Sequence, residues 1–359
     1  MKDVTVLSHK QHRLIDKDHR TAAKMANLTY LTDSKEGIKR VKKGKSYSFS
    51  YRGKAIRGKD EIARIKKLAI PPSWSQVWIS PTPSGHIQAT GIDLNGRKQY
   101  RYHEKWHQLR NETKFHRMWE FGQSLPRLRK KLKKDVASKE MTAEKVLAAA
   151  IQLMEQTYIR IGNNGYEKLY GSYGVTTLKD KHVEFKKDQA HLSFTGKKGI
   201  EHKITLKNKQ LARILKQCRD IPGKELFQFY GRDGNRKTID SGMVNSYIKE
   251  AADGDFSAKD FRTWAGSLHA LECFKGMEKP DSAPVIQKNI LKALDEVSVK
   301  LGNSRNICKK YYVHPGLLKL YEEEKLLPYL GNGMPATKSG QSGLSACEKI
   351  LMKVLKKCG

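Results

Sequence analysis

The hydrophobic pattern of this 359-residue chain changes period near Trp106, and that change limits the folds open to it. From Leu28 to about Tyr102 the pattern is mostly strand and turn. Ser46-Tyr47-Ser48-Phe49-Ser50-Tyr51 alternates small polar with aromatic side chains, the period of a half-buried strand, and Arg52-Gly53-Lys54 makes the turn. Ile70-Pro71-Pro72-Ser73-Trp74 cannot be helical at its prolines. Val77-Trp78-Ile79 is a short apolar strand that ends at Pro81. His86 to Gly91 and Lys98 to Tyr102 flank Asn95-Gly96, a strong hairpin turn signal.

Beyond Trp106 the period becomes helical. Val146, Leu147, Ala150, Ile151 and Met154 fall on one face, with Thr142 as N-cap. Arg127 to Lys134 is a basic run, either a linker or an exposed helix face. His191 to Thr195 and Ile200 to Leu206 form a second hairpin around Gly196-Lys197-Lys198-Gly199. Leu211 to Cys218, Met243 to Ala252, Ser257 to Phe274 and Val285 to Lys300 are helix candidates. Gly331 to Gly343 has linker composition, and a short amphipathic helix follows it. The pattern divides the chain into a β-rich lobe over 1–105, a mainly α-helical domain over 106–320 and a tail over 321–359. The expected fold class is α+β.

Lys and Arg number 70 against 37 Asp and Glu, a formal net charge of +33. Such an excess points to a polyanion partner, because cationic side chains neutralise phosphates and speed encounter. On composition alone, a ribosome-associated or merely basic protein fits as well. Residues 1–105 carry 23 basic and 9 acidic groups, and residues 106–320 carry 41 and 24, so the excess is shared by both lobes. No run approaches the ~18–20 apolar residues that cross a bilayer. Met1 to Arg20 has no apolar signal core, so a cytoplasmic location is expected. Five cysteines without CxxC or metal-finger spacing read as reduced thiols, with neither a disulfide framework nor a zinc site.

Gly37 to Ser46 ends in Gly44-Lys45-Ser46, a superficial likeness to a phosphate-binding loop. That loop needs four residues between its glycines, and here six intervene, three of them lysines and one an arginine. A basic turn that touches a polyanion is the better reading. No nucleotide cofactor and no metal are expected.

Three segments together carry a family resemblance. The first is Gly91-Ile92-Asp93-Leu94-Asn95-Gly96-Arg97-Lys98-Gln99-Tyr100-Arg101-Tyr102-His103. The second is Tyr158-Ile159-Arg160-Ile161-Gly162-Asn163, followed by Gly174-Val175-Thr176-Thr177-Leu178-Lys179. The third is Lys259-Asp260-Phe261-Arg262-Thr263-Trp264, with Leu301-Gly302-Asn303-Ser304 and Lys310-Tyr311-Tyr312-Val313-His314-Pro315 after it. From about Leu68 to Pro315 the chain resembles a type IB DNA topoisomerase of the small bacterial and poxvirus kind. The resemblance implies two lobes that close as a clamp around supercoiled duplex DNA. It also implies a 3′-phosphotyrosyl intermediate, strand rotation and religation without ATP. The protein is expected to act as a monomer, with no membrane partner.

The same resemblance assigns the chemistry residue by residue. Tyr312 matches the nucleophile, a weak one at a reference pKa of about 10 unless its surroundings activate it. Arg160 and Arg262 match two arginines that would stabilise the charge piled on the phosphate oxygens, a role suited to planar, permanently charged forks. Lys197 matches the hairpin lysine that protonates the leaving 5′-oxygen; Lys198 is adjacent, and register alone does not separate the two. Asn303 stands where poxvirus and cellular members carry histidine, nine residues before the tyrosine. Its amide can hydrogen-bond a phosphate oxygen but cannot carry a cation, as in some bacterial members. Gln99, Tyr100 and Tyr102 match DNA contacts of the small lobe, although each is also an ordinary strand residue. Alternation puts the two tyrosines on one face and Gln99 on the other. Lys259 stands where tyrosine recombinases, which share the catalytic lobe, usually have histidine. It argues against a site-specific recombinase, the first alternative; the second is a non-catalytic basic DNA binder that has kept the fold.

Overall fold

A computed structural model describes residue 15 and residues 18–358, apart from 45, 95, 232 and 331–342. The turn expected at Asn95-Gly96 and the linker expected over Gly331 to Gly343 lie partly or largely outside these residues. The chain forms two compact units, residues 1–116 and 117–359.

The first unit is built on a six-stranded antiparallel sheet in the order β3-β2-β1-β4-β5-β6. Its strands are β1 (Ile38–Lys43), β2 (Ser46–Tyr51), β3 (Lys54–Ala55), β4 (Ser75–Ile79), β5 (Ile87–Ile92) and β6 (Lys98–Tyr102). The alternation in β2 buries Phe49 and leaves Ser46 and Ser48 exposed. Phe49 joins Ile38, Ile79, Ala89 and Ile65 in one core, Ile65 coming from a helix over Lys59–Lys67. Arg40 donates to Pro71 O (3.0 Å) and Trp74 O (2.6 Å), which fixes the non-helical proline segment against the sheet. Asp18 caps a short helix, His19–Met25, whose Ala22 and Ala23 pack with Leu28, Trp106 and Leu109.

A single helix over Glu104–Val136 spans the boundary between the units and contains Pro126. A proline inside a helix forfeits one backbone hydrogen bond. Here Phe121, Leu125, Leu128 and Leu132 are all 1% exposed or less, so packing holds the helix through the break. The basic run Arg127 to Lys134 lies on this helix.

The second unit is mostly helical. Its helices include Ala143–Thr157, Lys209–Arg219, Ser241–Ala252, Ala258–Lys275, Ala283–Leu301, Arg305–Tyr311, Pro315–Glu322 and Ala346–Cys358. Thr142 Oγ1 accepts from Lys145 N at 3.3 Å, the expected N-cap. An antiparallel meander, β7 (Val183–Lys186), β8 (Gln189–Thr195) and β9 (Glu201–Leu206), carries the second hairpin. The Ala346–Cys358 helix buries Leu351, Val354 and Leu355 together with the carboxylate residue Glu348. Among the described residues no helix is long and apolar enough to cross a membrane.

Candidate active site

Arg160 follows the Ala143–Thr157 helix, which ends with Tyr158 in the left-handed region at φ 58°. The chain then runs backbone to backbone against Gly174–Thr177: Val175 N donates to Arg160 O (2.8 Å) and Thr176 N to Ile161 O (2.7 Å). A Cβ on Gly174 would overlap Gly162 N and Arg160 O, so only glycine permits this approach. The two halves of the second sequence segment are therefore one structure. It aims Arg160 at the end of the Ala283–Leu301 helix, where Nη2 donates to Asn303 Oδ1 (2.7 Å) and Gly302 O (3.1 Å).

Arg262 reaches the same corner from the Ala258–Lys275 helix. Its residue is 5% exposed, Nη1 donates to Tyr158 O, and Nη2 donates to Leu301 O at 2.8 Å. Its Nε is buried and has no hydrogen-bond partner among the described residues. The guanidinium carbon lies 5.2 Å from the centre of the Tyr312 ring. One turn further along the same helix, a Cβ on Gly266 would lie 2.6 Å from Tyr312 O, and Ser267 Oγ donates to that oxygen at 3.2 Å. A single helix thus presents the arginine and seats the tyrosine backbone.

Burial first, then the neighbouring Arg262 charge, brings the Arg160 guanidinium down to about 10. Burial likewise lowers Arg262, partly offset by Tyr312. Both remain cations near neutrality: a guanidinium is not deprotonated in a protein, and at about 10 Arg160 is still almost fully protonated there. Two cations desolvated side by side, one with a buried unmade donor, form a receptor for an anion such as a phosphate.

The structure therefore brings Arg160, Arg262, Asn303 and Tyr312 together from three distant segments. Lys197 lies on the exposed turn between β8 and β9, with Nζ 5.5 Å from the Tyr166 ring centre, while Lys198 takes the left-handed position at φ 65°. Lys259 is exposed on the first turn of the arginine helix. Gln99, Tyr100 and Tyr102 are in the first unit. Gln99 Nε2 donates to Asp93 Oδ2 at 2.9 Å, and the Tyr100 and Tyr102 rings stack 5.7 Å apart on one face of β6. Among the described residues, no group of three or more His, Cys, Asp or Glu could hold a metal ion.

Residues 103–326 match the family described as eukaryotic DNA topoisomerase I, catalytic core, and residues 47–93 match the bacterial DNA topoisomerase IB N-terminal domain. The chain belongs to the type IB DNA topoisomerase family. It is 33% identical to DNA topoisomerase 1B of Acanthamoeba polyphaga mimivirus over 296 residues, covering 80% of this chain and 88% of the viral protein. It is 23% identical to DNA topoisomerase I of Monkeypox virus over 66% of this chain and 73% of that protein. For DNA topoisomerase 1 of Schizosaccharomyces pombe the identity is 25%, over 67% of this chain and 27% of the yeast protein. A topoisomerase with a β-rich N-terminal region and a larger helical part agrees with the fold expected from the sequence.

Two features of the site escaped the sequence reading. Tyr158 supplies a backbone acceptor for Arg262, and its left-handed conformation has no signal in its residue type. His202, on β9, has its pKa lowered by burial first and then by both arginine charges. Its pairing opposite Phe194 follows from the hairpin register, which is where it could have been found.

Proposed function

We propose that this chain relaxes supercoiled duplex DNA through a reversible single-strand break made by Tyr312. Tyr312 Oη attacks a backbone phosphorus, giving up its proton to water. The bond from phosphorus to the 5′-oxygen breaks as the bond to the tyrosine forms, and the departing oxygen takes a proton from Lys197. Strand rotation follows, and the 5′-hydroxyl attacks the 3′-phosphotyrosyl bond to restore the backbone. One phosphodiester is exchanged for another, so the reaction as written consumes no nucleotide and needs no metal. One chain carries all five groups, which makes a monomer sufficient.

Arg160 and Arg262 stabilise the charge on the non-bridging oxygens, with the Arg262 Nε donor available to one of them. Asn303 holds Arg160 through Oδ1, and its amide Nδ2, engaged only at 3.4 Å with Leu301 O, is available to the phosphate. The observation that carries this reading is the convergence of both arginines, Asn303 and Tyr312 around an unmade buried donor. The excess of positive charge in both lobes supports contacts with the duplex from each. Gln99, Tyr100, Tyr102 and Lys259 are assigned to those contacts.

Plasmid relaxation in EDTA without ATP tests the proposal. The wild type is expected to relax the plasmid and to leave a covalent protein–DNA adduct under denaturing conditions, whereas Tyr312→Phe does neither. Relaxation by Tyr312→Phe would place the nucleophile elsewhere. A wild type that binds DNA with a steep salt dependence yet never relaxes it would be a binder that has kept the fold.

A further inference from the structure

His202 and Cys308 are titratable side chains beside the arginine pair that the reaction above leaves without a task, and the histidine also lies against the lysine turn. Its ring stacks on Phe194 across the β8–β9 pair, with centroids 5.0 Å apart and planes 18° from parallel. One edge faces Gly196, the residue before Lys197: a Cβ there would stand 2.6 Å from Nε2 and 2.7 Å from Cδ2. The adjoining edge faces Gly302, the residue before Asn303, where a Cβ would stand 3.2 Å from Cε1 and 3.6 Å from Nε2. Because both neighbours are glycines, the Nε2 corner of the imidazole lies against two stretches of backbone. One carries the proposed general acid, and the other accepts a hydrogen bond from Arg160.

Beyond the turn's own bonds, Lys197 Nζ lies 5.5 Å from the Tyr166 ring centre, and Ile200 Cγ2 would stand 3.6 Å from a Cβ on Gly302. Gly196 N donates to Ile200 O (2.7 Å) and Gly199 N to Gly196 O (3.2 Å), bonds that close the turn on itself and fix nothing outside it. Tyr173 N ties Thr195 O at 2.9 Å, which anchors the end of β8 one residue before the turn begins. Lys197, Lys198 and Gly199 are exposed. A lysine on such a turn can reach the leaving oxygen from many positions, and few of them align the proton. The imidazole adds a rigid ring to these contacts, set against both the turn and the Gly302 backbone. Burial, then Arg160 and Arg262, lower its pKa, so it fills the gap as a neutral ring and adds no third cation to the pair.

We infer that His202 is a positioning residue that fixes the Lys197 turn against the Gly302–Asn303 corner and thereby aligns the general acid with the leaving 5′-oxygen. This rests on the assignment of Lys197 as that acid, and the experiment separates the two claims. Single-turnover cleavage is measured on a duplex with the ordinary 5′-oxygen at the scissile phosphate and on one with sulfur in its place. A thiol has a reference pKa of about 8.5, so the thiolate departs without a proton, and a defect in proton delivery vanishes on the sulfur substrate. His202→Ala is expected to slow cleavage about 10- to 100-fold with oxygen and less than about 3-fold with sulfur, the scale of a misplaced catalytic group.

Lys197→Ala is the control for the acid itself. If sulfur fails to rescue it, the assignment of Lys197 falls whatever His202 does. If sulfur rescues Lys197→Ala but not His202→Ala, or if His202→Ala cleaves the oxygen substrate at the wild-type rate, the inference about His202 is wrong. Gly196→Ala covers the case in which His202→Ala fails to fold. It keeps the histidine but drives a methyl into the seat of the ring, so it should show the same sulfur-rescued defect. Adding His202→Ala makes room for that methyl, and the double variant should be no slower than His202→Ala alone. Losses that multiply would overturn the inference.

Discussion

The second unit contains two arginine sites largely withdrawn from solvent and built on opposite rules. Arg129, on the long Glu104–Val136 helix, meets carboxylates: Nε donates to Glu155 Oε1 (2.9 Å), and Nη1 and Nη2 donate to the two Glu348 oxygens (2.9 and 2.6 Å). Burial alone would lower its pKa, but the two glutamates outweigh it and raise it. Arg160 and Arg262 are held by backbone carbonyls and an amide, with no carboxylate partner among the described residues, and both are lowered. Desolvating a cation costs several kcal/mol unless an opposite charge compensates it. At Arg129 the compensation comes from the protein, and the result is a joint. At Arg160 and Arg262 neutral acceptors fix the geometry and leave the charge uncompensated, so the compensation must come from the phosphate.

The largest effect at the joint is therefore expected on folding. Arg129→Ala strands the buried Glu348 and the half-buried Glu155 and should cost about 3–5 kcal/mol of stability in urea unfolding, the range for breaking a buried pair. Cleavage by the protein that remains folded should change far less than stability does. At the reaction centre the order reverses. Arg262→Ala removes preorganised donors and should slow cleavage at least about 10²–10³-fold, roughly 3–4 kcal/mol of transition-state stabilisation. Its melting temperature should fall less than that of Arg129→Ala, because no buried charge loses its counter-ion. Arg262→Lys should recover little activity, since a point charge cannot reproduce a fork that spans two carbonyls and a phosphate. A variant at Arg262 that unfolds like Arg129→Ala while cleaving normally when folded would erase the distinction.

The sequence makes one of these sites legible and hides the other. Arg160, Arg262, Asn303 and Tyr312 lie in segments whose spacing carries a family likeness, and the alternation in Ser46–Tyr51 and the helical stripe from Val146 are local patterns that survive folding intact. The joint has no such signature. Arg129 sits in a run of cations that reads equally as linker or exposed face, and its partner Glu348 lies 219 residues away in a helix whose apolar stripe indicates only that something covers it. Trp264 donates to the same glutamate at 3.1 Å, so a residue readable as core packing is also part of a polar network. Close approaches are hidden for a related reason. Gly122 on the long helix admits Met352 and the Trp264 ring, yet a lone glycine in a helical pattern says only that a Cβ is absent. Pairing across the fold is decided by what arrives on the other side, and local periodicity carries no record of it.

The smallest effect gives the finest test, because it divides the joint itself. Glu155 and Glu348 share Arg129 but not its environment. Glu348 also accepts from Ser345 N (2.8 Å) and the Trp264 indole; burial raises its pKa, but these donors and Arg129 lower it further, and the net direction is down. For Glu155 burial outweighs Arg129, and the net direction is up. A carboxyl held below its ordinary 4.5 contributes stability above that pH and loses it as pH falls through the folded value. A carboxyl held above its ordinary value contributes nothing by ionising. Glu348→Gln should therefore cost about 1.5–3 kcal/mol in urea unfolding at neutral pH, the range for hydrogen bonds to a charged group. Glu155→Gln should cost less than about 1 kcal/mol, the scale of a weak ion pair. As the pH is lowered below 4.5, the gap between wild type and Glu348→Gln should close, while the smaller gap for Glu155→Gln should not follow it. Equal losses for the two glutamines, or a Glu348→Gln gap that persists in acid, would mean that the two carboxylates act as one diffuse counter-charge and that the joint is less specific than its hydrogen bonds suggest.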